Sequence, residues 1–115
     1  MSKRISEKHK AQVYRMFLLY CDKIVFKQTP IEQSIYLQLF RLSYAIGNRE
    51  VEISQNEISN ALNIKSLVTI RHAVNGLIRK QHIKIIRRDY KSKTKYYVYT
   101  PLQIITPDIK SKRKK

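Results

Sequence analysis

The chain holds one cysteine, two glycines, three prolines and no tryptophan. A lone thiol closes no internal disulfide and supplies too few ligands for a structural zinc site, so Cys21 reads as a small apolar core residue. With glycine only at positions 47 and 76 there is no glycine-rich loop to cradle a phosphate. Acidic residues are scarce too, eight in 115. Glu32 and Glu57 are placed to cap helices, Glu50 and Glu52 alternate outward, and no spacing assembles a paired-carboxylate or nucleophile–base site. His9, His72 and His82 are widely separated, so no metal site is expected. The pattern is that of a binder and not an enzyme, with no cofactor and no small-molecule substrate. No apolar run is long enough to span a bilayer, and Met1 to Ile5 lacks the apolar stretch of a signal peptide. The expected location is cytoplasmic, on the nucleoid, with no membrane partner.

What is abundant is positive charge. Twenty-four Lys and Arg give a formal net charge of +16. Nine Lys or Arg face six Asp or Glu up to Glu57, and fifteen face two from Ile58 onward. A polyanion is expected to dock on that second half.

The same half opens with a recognisable order of elements. Ser54-Gln55-Asn56-Glu57 has the spacing of a capping box, so a helix should begin at Gln55. Ile58, Ala61 and Leu62 fall on one face, and Asn63 tolerates the positive φ that ends so short a helix. Ile64 plugs the turn, Ser66 caps again, and Leu67 to Lys80 carry Ile70, Ala73, Val74, Leu77 and Ile78 on a single buried stripe. Lys65, Ser66, Thr69, Arg71, His72, Asn75 and Arg79 must then look outward; Val68, at the N-terminal end, is assigned to neither side. Arg pairs with guanine O6 and N7, Asn with adenine N6 and N7, and the amides of a helix N-terminus favour an anion. An ordinary solvated helix face is the alternative.

Beyond Gln81 and His82 the pattern becomes extended. Ile83, Ile85 and Ile86 lie among Lys84, Arg87 and Arg88, and after a polar loop come Tyr96, Tyr97, Val98 and Tyr99. The loop has no glycine, so a longer tip is expected than a two-residue primed turn. Lys91, Lys93 and Lys95 alternate, which on a strand puts them on one side as a comb for phosphates or the minor groove. Tyr90 is a further candidate contact; the later tyrosines read as β-formers facing the core.

The order helix, helix, β-hairpin, with Ser66-x-x-Thr69-Ile70-Arg71-x-x-Val74-x-x-Leu77 followed by Ile83, resembles the winged helix-turn-helix superfamily, including MarR-like regulators and the N-terminal domains of plasmid and phage replication initiators. The resemblance implies a helix in the major groove and a wing on the flanking backbone. One departure stands out: Gln81-His82 replaces the small residue often found where the recognition helix meets the first wing strand.

The first half supplies the scaffold. Val13, Phe17, Tyr20 and Ile24 make one helical stripe, with Tyr14, Leu18, Cys21 and Val25 beside it. So broad an apolar surface predicts a helix covered on two sides, with Val13, Phe17, Tyr20 and Ile24 as a homodimer contact; a helix wrapped wholly by its own domain is the alternative. Ile24 to Phe26 could equally be a short extended segment. Thr29-Pro30-Ile31-Glu32 is a capping box, and Ile31, Ile35, Leu39, Leu42 and Ile46 run along one helix face to Gly47. Val51 and Ile53 read as a short strand able to pair with the wing. Thr100-Pro101 closes the last strand, and the basic run from Lys110 to Lys115 reads as a non-specific DNA arm.

The expectation is a mainly α fold with a small β-sheet (α+β), a winged helix-turn-helix with an extra N-terminal helix. Residues 1–28 form a possible dimerisation element, 29–100 the DNA-binding domain and 101–115 a basic tail. Its function would be sequence-specific binding of double-stranded DNA by a small dimeric transcriptional regulator. The alternatives are a plasmid or phage replication or partition factor and, in another class, an RNA-binding or ribosome-associated module.

Overall fold

A computed structural model describes residues 5–88 and 93–106. The fold is α+β, with five α-helices and one small three-stranded antiparallel sheet among the described residues. In order these are α1 (Glu7–Leu19), α2 (Pro30–Arg41), β1 (Glu50–Ile53), α3 (Gln55–Leu62), α4 (Leu67–Arg79), β2 (Ile83–Arg88), β3 (Thr94–Val98) and α5 (Pro101–Ile105). The sheet order is β1-β3-β2, so the strand between α2 and α3 extends the hairpin that follows α4.

Local chemistry accounts for the helix starts. Ser6, Thr29, Ser54, Ser66 and Thr100 each accept a backbone N–H with their hydroxyl, and at Thr29, Ser54 and Thr100 the N3 side chain reaches back to close a capping box. The α3–α4 turn is held twice. Asn63 takes φ 56°, and the Ser59 hydroxyl donates to the Ile64 carbonyl while the Ile64 amide donates to the Ser59 carbonyl. Between α4 and β2, Gln81 itself adopts the left-handed conformation at φ 63°. A non-glycine residue in that conformation costs roughly 1 kcal/mol.

One core joins all the elements. Ile35, Tyr36 and Leu39 of α2, Ile58 of α3, Ile70, Val74 and Leu77 of α4, Ile83 and Val98 of the hairpin and Ile104 of α5 form a single cluster. Truncating a fully buried member such as Leu77 to Ala should cost about 2–5 kcal/mol. Tyr20 and Ile24 belong to the same cluster, 2% and 0% exposed, which corrects their assignment to a dimer surface. The reason lies in the helix. After Leu19 the chain widens into a π turn, Tyr20–Ile24, in which Val25 N–H reaches back to the Tyr20 carbonyl. The stripe that began with Val13 and Phe17 thereby turns inward: Tyr20 stacks on Tyr36 at 5.3 Å, and its hydroxyl donates to Gln28 Oε1 at 2.7 Å. Burial pushes the Tyr20 phenol up to about 12, with a smaller contribution from the charge of Cys21. The same turn swings Cys21 outward, so the lone cysteine is exposed and not a core residue.

Three further expectations are corrected, and the close of the last strand at Thr100-Pro101 is extended. Residues 25–27 form a 3-10 turn and not an extended segment. Helix α2 stops at Arg41, because the Ser43 hydroxyl donates to the Leu39 carbonyl and Ser43 leaves helical geometry; Gly47, at φ 88°, closes the 3-10 turn Tyr44–Ile46 instead, and Ile46 is exposed. Ala61 faces solvent, since two turns of α3 bury Ile58 alone. Thr100-Pro101 starts a helix, with Gln103 completing the box, and α5 packs on α1 and the π turn. Among the described residues no helix is long and apolar enough to cross a membrane.

Candidate functional site

The back of α4 explains what its front can present. Ile70, Ala73, Val74, Gly76 and Leu77 are buried, and Gly76 lies so close to α2 that a Cβ there would land on the Glu32 carboxylate. That carboxylate caps α2 through the Thr29 amide at 3.0 Å and takes Lys80 Nζ at 2.5 Å. Lys80 also donates to the Lys27 carbonyl. The C-terminal end of α4 is thus locked to the N-terminal end of α2, and rotation about the α4 axis is fixed.

With the back fixed, Lys65, Ser66, Arg71, His72, Asn75 and Arg79 are exposed, and Thr69 is half-buried. Arg71 and Asn75, four residues apart, share one line of the helix and look into a cleft of about 470 Å³. Its other walls are the α3 N-terminus, Ser54 to Asn56, and the hairpin residues Arg88 and Thr94, with Val74 and Tyr96 beneath. His72 and Arg79 stand outside that cleft. The structure therefore brings Arg71, Asn75 and Arg88 together and separates them from the other outward residues. Among the described residues no carboxylate pairs with Lys65, Arg71 or Arg79.

The hairpin base behaves differently. Lys93 reaches Glu57 at 3.2 Å, Lys95 reaches Glu50 at 3.7 Å, and Arg87 reaches Glu52 at 2.7 Å. Lys93 and Lys95 therefore do not line up as one comb: the first turns to the α3 cap, the second to β1. Lys93 precedes the strand, so strand alternation does not set its direction. Across the hairpin, β2 carries a bulge between Ile85 and Arg87 that leaves Ile86 as an exposed extra residue. The Glu57 carboxyl is held below the usual carboxylate range by the Ser54 amide first and then by Lys93. Tyr90 and Lys91 lie outside the described residues, as does the basic run from Lys110 to Lys115.

Three features were not foreseen from the sequence. The α3 N-terminus walls the cleft with Gln55 and Asn56, which a capping box signalled only as a helix start. Glu50, Glu52 and Glu57, read as outward charges and a cap, are partners of the hairpin. His82, which follows the left-handed Gln81, is buried and bonds through Nδ1 to Gln28 Nε2 at 2.8 Å, in line with Tyr20. No sequence spacing links three residues so far apart.

Elsewhere on the surface, Val13, Tyr14 and Phe17 of α1 face Leu37 and Phe40 of α2 across an open apolar groove of about 610 Å³. Tyr14, Phe17 and Leu18 are exposed, while Val13 is half-buried. No group of His, Cys, Asp and Glu among the described residues could hold a metal ion. No family model, curated protein or solved structure matches this chain.

Proposed function

We propose that the chain is a winged helix-turn-helix protein that binds double-stranded DNA with sequence preference, α4 lying in the major groove and the β2–β3 hairpin on the flanking backbone. The observation that carries this reading is the shared cleft: Arg71 and Asn75 of α4 open onto the same space as Arg88 and the α3 N-terminus. Arg71 and Asn75 have the geometry to read guanine and adenine edges. Arg88 and the Gln55 and Asn56 amides suit a phosphate beside them. Lys65, Ser66, Thr69, His72 and Arg79 would border the groove on either side.

The tyrosines argue against a single-strand or RNA binder. Tyr96 is buried, and Tyr97 and Tyr99 are half-buried and pack on each other at 5.0 Å, so these three rings offer little face for base stacking. A homodimer is part of the proposal. Its contact moves from the stripe ending in Tyr20 and Ile24 to the outer side of α1, where Phe17 is joined by Tyr14 and Leu18. Two copies would address two half-sites about one helical turn apart. Whether such a protein regulates transcription or serves replication or partition depends on where its sites lie.

Competition among duplex DNA, single-stranded DNA and structured RNA tests the reading. Duplex fragments enriched from a genomic pool should outcompete the other two, with binding that weakens steeply as salt rises. Equal or better competition by single strands or RNA overturns it.

A further inference from the structure

On the outward side of α4 one residue does not match its neighbours. Val68 is 57% exposed in the first turn of the helix, with Ser66, Arg71, His72 and Asn75 around it. Leu67 beside it is 37% exposed and walls the cleft. Local folding gives no reason for the valine. A β-branched residue is a poorer helix former than Lys, Gln or Glu at such a position. Nor does it serve as a hydrophobic staple, since that contact would join positions 65 and 70 around the Ser66 cap, and Lys65 is not apolar. An exposed apolar side chain held at the N-terminal end of a cationic helix face has a matching feature in DNA: the C5 methyl of thymine, the one apolar group that a base pair presents in the major groove.

We infer that Val68 is a specificity residue that packs against a thymine methyl, so that the chain discriminates thymine from cytosine and uracil at one position of each half-site. This rests on the duplex-reading proposal and sharpens it by naming the base feature recognised. Arg71 lies three residues on and Asn75 seven, so the methyl contact belongs at the edge of the stretch of bases those two side chains reach.

The test uses the full chain and a duplex site selected from a random pool. Each thymine is replaced singly by deoxyuridine, which removes the methyl and leaves the hydrogen-bonding edge intact. Deoxyuridine at one position per half-site should weaken binding by about fourfold, as expected for one methyl group removed from an apolar contact. Val68→Ala should bind the thymine and deoxyuridine duplexes alike, and Val68→Thr, of similar shape, should retain part of the difference. Circular dichroism of both variants checks that overall helix content is unchanged. Duplex binding with no deoxyuridine effect, or an effect undiminished in Val68→Ala, overturns the methyl contact and leaves the groove reading standing. Absence of sequence-preferring duplex binding overturns both.

Discussion

Two cationic regions, α4 and the β2–β3 hairpin, each contribute to the cleft, and they differ in what balances their charges. At α4, Arg71 and Arg79 of the helix and Lys65 just before its cap have no acidic partner among the described residues. At the hairpin base, Arg87, Lys93 and Lys95 each sit against a glutamate from β1 or α3. The strongly basic second half of the chain is therefore not uniformly basic in space. The acidic residues of the first half, Glu50, Glu52 and Glu57, fold onto it and pair with Lys95, Arg87 and Lys93 of the hairpin base, while none of them reaches Lys65, Arg71 or Arg79. Such exposed pairs contribute about 0–1 kcal/mol each to stability, so their larger consequence is electrostatic: they balance three cations at the hairpin base, and leave each able to exchange a carboxylate partner for a phosphate in the proposed duplex complex.

The sharpest way to break that asymmetry is Arg71→Ala. Loss of one bidentate base contact should cost up to about 3 kcal/mol on the preferred duplex and relax preference at one base pair, with little change on random DNA. Binding titrations on a panel of single-base variants measure it, and a loss shared equally by preferred and random duplexes would contradict the role. Next in size is Gly76→Ala. Accommodating the new methyl forces the Glu32 carboxylate off the Thr29 amide and Lys80, a partly buried charged network whose disruption costs about 3 kcal/mol. The gain in helix propensity returns about 1 kcal/mol. A net loss near 2 kcal/mol should appear in denaturant unfolding, and the companion variant Glu32→Gln should lose less, since it keeps the cap geometry and removes only the charge.

Why these regions differ was only partly legible in the sequence. Capping boxes and apolar periods are local signals, and at Thr29, Ser54 and Ser66 they located α2, α3 and α4 to within a residue at their starts. The outward side of α4 was legible for the same reason, since subtracting an apolar stripe needs no tertiary information. Helix ends were harder. The π turn after Leu19 obeys no fixed period, so a stripe extrapolated through Tyr20 and Ile24 assigned core residues to a surface and Cys21 to the core. The ion pairs were not legible at all. Glu57 and Lys93 are brought together by chain reversal through α4 and β2, and a count of charges along the sequence assigns them to opposite halves.

The remaining predictions probe the paired cations of the hairpin base. Glu50→Gln frees Lys95, so the salt dependence of duplex binding should steepen by about one counterion without altering sequence preference. Lys93→Ala should make it shallower by about the same amount. Both effects should stay under about 1 kcal/mol at moderate salt, as expected for exposed pairs. An equal shift in sequence preference from either variant would mean that the hairpin reads bases as well.

The smallest effect is one of pH. The folded Glu57 carboxyl titrates below the ordinary glutamate range because it accepts from the Ser54 amide and pairs with Lys93. A carboxyl with a depressed folded value contributes stability that is fully present above the unfolded value and is lost as pH falls through the folded one. Acidification through the carboxylate range should therefore loosen the α3 cap and release Lys93. Amide exchange over α3, followed from pH 6 downward, should accelerate relative to α4 in the wild type after correction for intrinsic rates. Glu57→Gln retains a polar capping side chain but cannot titrate, so its α3 exchange should show no such acid-dependent step. A step of the same size in both proteins would assign the titration to another group and remove Glu57 as the link between the α3 cap and the hairpin.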